Sequence, residues 1–144
     1  ISRFLNPLPS SYQRLGCWEA PKRINWSFGN RSQLVRIPAA HPGAGRMELR
    51  SPDPACNPYL AFALVLAAAM EGITEVTPLQ APLDDSGSLP ESLEEAISLA
   101  EKSAFIREVL PENVIEAYLA EKKKTAARFE ADANAVFQQH LRTI

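Results

Sequence analysis

The hydrophobic and polar positions of this chain change their period about one third of the way along it. In the first third the alternation is short-range: Ile24, Trp26 and Phe28 alternate with polar neighbours, and residues 34–37 form a second β-favouring stretch. A period of two is typical of strands, because successive side chains point to opposite faces of a sheet. We therefore expect short antiparallel strands in this part of the chain.

A third alternating stretch carries charge along one face. Arg46, Glu48 and Arg50 occupy alternate positions, and Met47 and Leu49 between them are expected to hold the strand to the core. Such a face is either a solvated surface with salt bridges worth about 0–1 kcal/mol each, or a binding surface. Its alternate side chains lie about 6.6–7 Å apart, which suits different parts of one extended ligand. A carboxylate between two guanidinium groups also suits a hard cation that shares ligands with substrate phosphates.

From residue 51 onward the apolar positions follow the period of helices. Asn57 is predicted to cap a helix that has Pro58 in its first position and that ends at Gly72. This segment is apolar on nearly all sides, so we expect the helix to be buried.

Further amphipathic helices are predicted after this apolar one. Ser92 and Glu95 are spaced as a capping box, residues 105–110 make a further turn or two, and a long helix is expected over about 112–141. The apolar stripe of the capped helix comprises Leu93, Ala96, Ile97 and Ala100. Strands followed by amphipathic helices indicate an α+β fold.

Length and composition indicate a single domain. The chain has 144 residues, of which 46% are hydrophobic, a size and composition typical of one core. Its longest apolar run, residues 59–70, is shorter than the ~20 residues that span a bilayer, so we expect no membrane partner. Cys17 and Cys56 form no spaced framework, which favours a reducing, cytoplasmic location. Because the chain begins at Ile1, we expect it to be part of a longer protein.

The two parts of the chain carry opposite net charge. Residues 1–57, the strand-rich part, hold eight basic and three acidic residues, whereas residues 58–144, the helical part, hold seven and fourteen. Seven of the eight bases in the first part are arginines, whose planar groups bind phosphate or carboxylate through paired hydrogen bonds. An anionic ligand is therefore expected. Nucleic acid is not, because the sequence pI is about 5.7.

Three motifs together resemble the carboxyl-terminal part of the catalytic domain of glutamine synthetase. They are "NPLPSSYQRLGCWEAP", "NRSQLVRIP" and "RMELRSPDPACNPYLAFA", and the resemblance is close over residues 4–73. It implies ATP-dependent ligation of ammonia to glutamate through γ-glutamyl phosphate, with Mg²⁺ or Mn²⁺, in a ring-shaped homo-oligomer. "WEAP" together with "ELRSPDP" is more similar to the ammonia-using enzymes than to relatives that join glutamate to amines.

The resemblance assigns three residues to the metal and to glutamate. Glu48 resembles the carboxylate that binds one of two divalent cations. Arg50 resembles an arginine that contacts the glutamate substrate, and Arg14, in "SYQRL", resembles another arginine of the glutamate site.

The same resemblance assigns four more residues to ATP binding and to catalysis. Arg31 of "NRS" and Arg36 of "RIP" resemble residues that hold the ATP phosphates and the transferring phosphoryl group, and Arg46 resembles a nucleotide contact. Glu19 of "WEAP" resembles the loop glutamate that closes the site and helps to deprotonate ammonium. Glu19 and Arg31 are the expected catalytic residues.

Two alternatives to the ammonia ligase stay open at this point. One is a γ-glutamyl ligase that uses an organic amine, and the other is a non-catalytic binding or assembly module of the same fold. The family's other metal ligands and its smaller amino-terminal domain are expected upstream of these residues, so the 144-residue chain is expected to be inactive alone.

Overall fold

Helices make up most of the regular structure in the computed structural model, which describes residues 1–39, 45–84 and 87–132. Within these residues, three short strands form one sheet: β1 (Trp26–Phe28), β2 (Val35–Ile37) and β3 (Glu48–Leu49). The helices are α1 (Ser2–Leu5), α2 (Pro9–Arg14), α3 (Pro58–Thr74), α4 (Leu93–Glu101), α5 (Ala104–Val109) and α6 (Glu112–Ala131). The α+β class is confirmed. The pattern did not predict α1 and α2, which are too short to show a helical period.

The sheet has the order β1-β2-β3 and mixed pairing. β2 and β3 are antiparallel, as expected, but β1 and β2 are parallel, with Trp26 opposite Val35. The antiparallel prediction is therefore wrong for this pair. Parallel neighbours usually need a crossover of about a dozen residues. Here β1 and β2 have only three residues each, so residues 29–34 can lead the chain back beside the start of β1.

Burial of the side chains in the sheet does not follow the inward and outward alternation that the sequence predicts. Ser27 is buried in β1, whereas Phe28 is 68% exposed. In the β3 region Leu49 is half-buried, but Met47 is 65% exposed, so the expectation that both hold the strand to the core is wrong for Met47. Leu49 instead lines an apolar cavity with Leu5 and Ala61, which places α1 and α3 behind this strand.

The core consists of two clusters, and α4 contributes residues to both. One contains Phe4, Leu64, Ala100, Ile106, Leu110, Ile115 and Leu119. The other contains Tyr12, Leu15, Leu89, Leu93, Ala96, Ile97 and Ala126. All four positions predicted for the apolar stripe of α4 are buried in these clusters. The predicted extension of the last helix to Leu141 lies outside the described residues.

The burial predicted for α3 is wrong over most of its surface. Ala61 and Leu64 are its buried residues, and they face α1 and α5. An outer stripe is exposed at helical spacing; it consists of Tyr59, Phe62, Leu66, Met70 and Ile73. Composition indicates that a helix is apolar on all sides, but burial also needs packing partners on all sides. Among the described helices, none is both long and apolar enough to cross a bilayer.

The predicted cap of α3 is confirmed. The Asn57 side-chain oxygen accepts hydrogen bonds from the backbone N–H groups of Tyr59 at 3.0 Å and Leu60 at 3.3 Å, and Pro58 occupies the first helical position. The helix continues two residues beyond the predicted end at Gly72.

Replacing Asn57 with Ala is expected to lower the free energy of unfolding by about 0.5–2 kcal/mol, because both N–H groups lose their side-chain acceptor. Asn57→Asp keeps an acceptor oxygen at the same distance from the backbone and serves as the control. Urea unfolding followed by circular dichroism gives both values. Equal stability of the Ala and Asp variants would show that the cap contributes nothing measurable.

Candidate functional site

The antiparallel register of β2 and β3 brings Arg36 and Glu48 together. They are direct cross-strand partners, and Arg36 Nη1 donates to Glu48 Oε2 at 2.8 Å. Arg36 Nε donates to the carbonyl oxygen of Gly29 at 2.9 Å, which fixes the plane of the guanidinium. Gly29 turns the chain at the end of β1 with φ +72°, a conformation that favours glycine.

Glu48 is the carboxylate around which three arginines meet. Besides Arg36, Arg50 Nη1 lies 3.4 Å from Oε2, and Arg46 Nη2 lies 3.5 Å from Oε1. The side chains of Arg36 and Arg50 are 16% and 19% exposed, whereas that of Arg46 is 62% exposed. The hydrogen bond from Arg36, aided by the positive charges of Arg36 and Arg46, lowers the pKa of Glu48. This carboxylate is therefore ionised at neutral pH.

Arg50 connects this centre to the segment that contains Glu19. Its Nε donates to the carbonyl oxygen of Arg31 at 2.7 Å, and its Nη2 donates to that of Glu19 at 3.2 Å. The Glu19 carboxylate lies 3.7 Å from Arg50 Nη2 and 3.5 Å from Arg31 Nη1. One guanidinium thus holds two separate chain segments against the charged strand.

The turn that carries Glu19 is short and exposed. Gly16 has φ +84°, its N–H donates to the carbonyl of Ala20 at 3.0 Å, and the N–H of Ala20 donates to that of Cys17 at 3.0 Å. Trp18 has φ +54° and is fully exposed. Positive φ is unfavourable for a bulky residue. Contacts from Arg31 and Arg50 therefore hold Glu19 on a turn that does not pack into the core.

Arg14 is held apart from the other predicted site residues. Its Nη2 donates to the carbonyl oxygen of Ser51 at 2.6 Å and to Asn6 Oδ1 at 3.3 Å, and its Nε lies 3.8 Å from Asp53 Oδ2. Among the described residues it shares no ion pair with the Glu48 centre. Within the described residues, Arg14 is connected to the Glu48 centre only through the backbone, because Ser51, whose carbonyl it contacts, directly follows Arg50.

Sequence reasoning missed Asp53 and the backbone acceptors of this site. Asp53 lies in the motif "ELRSPDP", to which the resemblance assigns no role for this residue, yet its carboxylate approaches Arg14 and accepts from the N–H of Ala55 at 2.8 Å. An acid next to proline in a loop is the signal that could have indicated it. The carbonyls of Gly29 and Ser51 carry no side-chain signal at all.

The six remaining predicted residues form one connected arginine network. Its members are Glu19, Arg31, Arg36, Arg46, Glu48 and Arg50. Four guanidinium groups and two carboxylates leave an excess of two positive charges in a half-buried centre with an exposed rim. Isolated surface ion pairs would contribute little, but clustered like charges repel unless an anion joins them. The arrangement therefore suits a polyanion such as a chain of phosphates.

The described residues do not by themselves fit a divalent cation. Among them, no group of three or more His, Cys, Asp or Glu side chains could hold a metal ion. Glu48 is one carboxylate, and both of its oxygens contact guanidinium groups. Magnesium-like cations usually take about six oxygen ligands, including one or two carboxylates and substrate phosphates. Glu48 can supply one of these ligands, and the others must come from elsewhere.

Comparisons with known proteins agree with the motifs. A family model described as glutamine synthetase, catalytic domain, matches residues 1–139. The chain is 43% identical over 141 residues to glutamine synthetase of Methanosarcina mazei, covering 88% of this chain and 32% of that protein. It is 41% identical over 144 residues to glutamine synthetase of Thermotoga maritima, covering 90% and 33% respectively. The chain therefore spans about one third of the length of these relatives.

Proposed function

Because the chain belongs to the glutamine synthetase family, matching its catalytic domain over residues 1–139, we propose that it takes part in the ATP-dependent ligation of ammonia to glutamate. The product is glutamine, formed through γ-glutamyl phosphate. The observation that carries this proposal is the arginine network, whose excess positive charge lies where the family motifs meet.

In this proposal the arginines bind and stabilise the transferring phosphoryl group. Arg31, Arg36 and Arg46 hold the phosphates of ATP, since Arg31 and Arg46 have exposed guanidinium groups and Arg36 anchors the centre. Phosphoryl transfer spreads negative charge over the phosphoryl oxygens, and fixed cations stabilise that charge as it develops. A divalent cation would neutralise the phosphates when bound, with Glu48 as one of its ligands.

Arg50 and Arg14 bind the glutamate substrate in this proposal, and Glu19 removes a proton from ammonium. Arg50 is already placed between the Glu48 centre and the turn of Glu19, so one residue can coordinate substrate binding with the position of the base. Glu19 is accessible on its exposed turn, and its ion pairs with Arg31 and Arg50 direct it toward the network. A carboxylate on such a turn can both cover the site and accept the proton.

The complete reaction is proposed for a protein that also contains what the relatives have in their other two thirds. Glu48 alone does not complete a metal site among the described residues, so further carboxylates must come from outside them. We place this reaction in the cytoplasm and in a ring-shaped homo-oligomer, as the family resemblance implies.

The 144-residue chain alone is expected to form no glutamine from glutamate, ammonium and ATP. A chimera in which this chain replaces the matching third of the Methanosarcina mazei enzyme is expected to be active, because the two segments are 43% identical. Glutamine and phosphate release are measured with Mg²⁺ and with Mn²⁺. Gel filtration against the parent enzyme shows whether the chimera assembles.

Two outcomes would contradict this reading. Clear turnover by the chain alone would show that its residues complete the site, against the metal-ligand argument. A chimera that assembles like its parent but forms no product would favour the binding or assembly module. Competition between ammonium and methylamine in the active chimera tests the acceptor, and preferred use of methylamine would support the γ-glutamyl ligase that uses an organic amine.

A further inference from the structure

The Arg14 guanidinium has one nitrogen from which no described residue accepts a hydrogen bond. Its Nη2 donates to the carbonyl oxygen of Ser51 at 2.6 Å and to Asn6 Oδ1 at 3.3 Å, which uses both N–H bonds of this nitrogen. Its Nε lies 3.8 Å from Asp53 Oδ2. Nη1 donates to none of the described residues, and the side chain is 33% exposed. The contacts of Nε and Nη2 therefore set the direction in which Nη1 can bind a ligand.

Asp53 is the charged member of these three groups, and its own contacts fix it. Its N–H donates to the carbonyl oxygen of Leu5 at 2.8 Å, and its Oδ1 accepts from the N–H of Ala55 at 2.8 Å. A proline lies on each side of it in the chain, and the one that follows disfavours helical backbone at Asp53. Oδ1 is thus occupied by the turn, and Oδ2 is the oxygen that faces Arg14.

The surroundings of Asp53 strengthen its attraction for Arg14. The Asp53 side chain is 17% exposed and borders an apolar cavity of about 420 Å³ that Leu5 and Leu49 also line. Arg14 Nε is buried and donates no hydrogen bond within the described chain, so the Asp53 charge is what compensates it there. Salt and water screen such a half-buried pair less than they screen a surface pair. Contacts of this kind are often long before a substrate binds, and they shorten in the substrate complex.

One short segment connects Arg14 with Arg50. Arg50 is followed directly by Ser51, whose carbonyl accepts from Arg14, and Asp53 comes two residues later. The segment therefore carries one arginine of the proposed glutamate site and holds the other. Two cations that bind the same substrate must keep a fixed separation, since a misplacement of about 1 Å can cost roughly 10²-fold in rate.

We infer that Asp53 is a positioning residue for the glutamate substrate: it holds Arg14 Nε so that Nη1 is directed at a carboxylate of glutamate. Asp53 acts through Arg14 and does not itself bind the substrate. Asn6 and the Ser51 carbonyl fix the second side of the same guanidinium plane. The inference rests on the proposed function, because it takes Arg14 as a residue that binds glutamate.

The first test measures the mobility of Arg14 in the 144-residue chain without any substrate. Nitrogen-15 relaxation of the Arg14 Nε–H group is expected to give an order parameter of about 0.85, and Asp53→Asn should lower it toward the values below about 0.6 that flexible groups have. Asn keeps an oxygen for the N–H of Ala55, so the turn stays in place. The Nε–H group of Arg107, an exposed arginine, should not change. An unchanged order parameter for Arg14 would overturn the inference, whatever the kinetics show.

The second test measures kinetics in the chimera. Asp53→Asn should raise the KM for glutamate by about 5- to 20-fold, because Arg14 loses the charge that orients it. The KM for ATP and kcat should change by less than about twofold. Asp84→Asn, which changes an exposed aspartate in the loop after α3, is the matched control and should leave all three values unchanged. A residue that only stabilised the fold would lower the amount of active enzyme, and hence kcat, at an unchanged KM.

Arg14→Gln separates failure of this inference from failure of the proposed function. Without the guanidinium there is nothing for Asp53 to orient, so adding Asp53→Asn to Arg14→Gln should change the KM for glutamate by less than about twofold. If Arg14→Gln alone leaves this KM unchanged, Arg14 does not bind glutamate, and that assignment in the proposed function is wrong. If Arg14→Gln raises the KM and Asp53→Asn does not, Arg14 keeps its assignment and the positioning role of Asp53 is overturned.

Discussion

Replacing Glu19 with Gln in the chimera should lower the rate of glutamine formation from ammonium by about 10²–10⁴-fold, the usual effect of losing a general base. Ammonium is almost fully protonated at neutral pH and cannot attack an acyl phosphate until a proton is removed. Hydroxylamine is mostly neutral at the same pH, so its reaction should fall much less. Gln keeps the size of the side chain and its hydrogen-bonding reach. Initial rates with both nucleophiles at pH 7 measure the difference.

The contacts of Glu19 define what a purely structural role would look like. Its carboxylate pairs with Arg31 at 3.5 Å and with Arg50 at 3.7 Å, so the variant also weakens the attachment of its turn. If ordering the turn were the whole role of Glu19, the rates with ammonium and with hydroxylamine would fall by the same factor. That result would contradict the assignment of Glu19 as the general base. Glu91→Gln is the matched control, since Glu91 is an exposed glutamate paired with Lys22 at 2.7 Å outside the network.

Arg50→Lys in the chimera should lower kcat/KM for glutamate by about 10²–10³-fold, equivalent to about 2.7–4 kcal/mol of transition-state stabilisation. Arg50 uses all three of its nitrogens, donating to the carbonyl of Arg31, to that of Glu19 and to the Glu48 carboxylate. Lysine keeps the charge, but its donors diverge from a single nitrogen and cannot reproduce the planar fork whose three separate nitrogens make these contacts. Steady-state kinetics with varied glutamate measure the loss.

The control for this substitution is Arg107→Lys, which changes an exposed arginine paired with Glu112 and far along the chain from the network. It should leave kcat/KM unchanged within experimental error. A loss of less than about threefold for Arg50→Lys would remove Arg50 from the substrate site. Recovery of normal kinetics at high glutamate would indicate that the arginine contributes mainly to ground-state binding.

The parts of the fold that the sequence predicts are those governed by local chemistry. The capping side chain of Asn57, the buried stripe of α4 and the position of the charged strand all depend on neighbours within a few residues. Six of the seven predicted site residues meet in one network because their motifs lie on adjacent strands and turns. Alternation alone indicates that Arg46, Glu48 and Arg50 share a face; it does not indicate that Arg36 pairs with Glu48.

What the sequence could not predict depends on distant segments. The parallel pairing of β1 with β2 follows from how the loop at 29–34 returns, which no residue in either strand specifies. The carbonyl acceptors for Arg14 and Arg50 are backbone atoms that every residue has. Burial of Arg3 results from α1 packing against α4 and α3, and a charged residue in a short amino-terminal helix gives no signal of it.

The exposed outer stripe of α3 also affects the thermodynamics of unfolding. Apolar surface that water already contacts in the native chain adds nothing to the heat-capacity increment of unfolding, which is due mainly to newly hydrated apolar groups. The free energy of unfolding of this chain should therefore vary less steeply with temperature than is usual for a chain of 144 residues. Any surface that covers Phe62, Leu66 and Met70 would steepen the curve and add about 25 cal/mol of stabilisation for each Å² it removes from water.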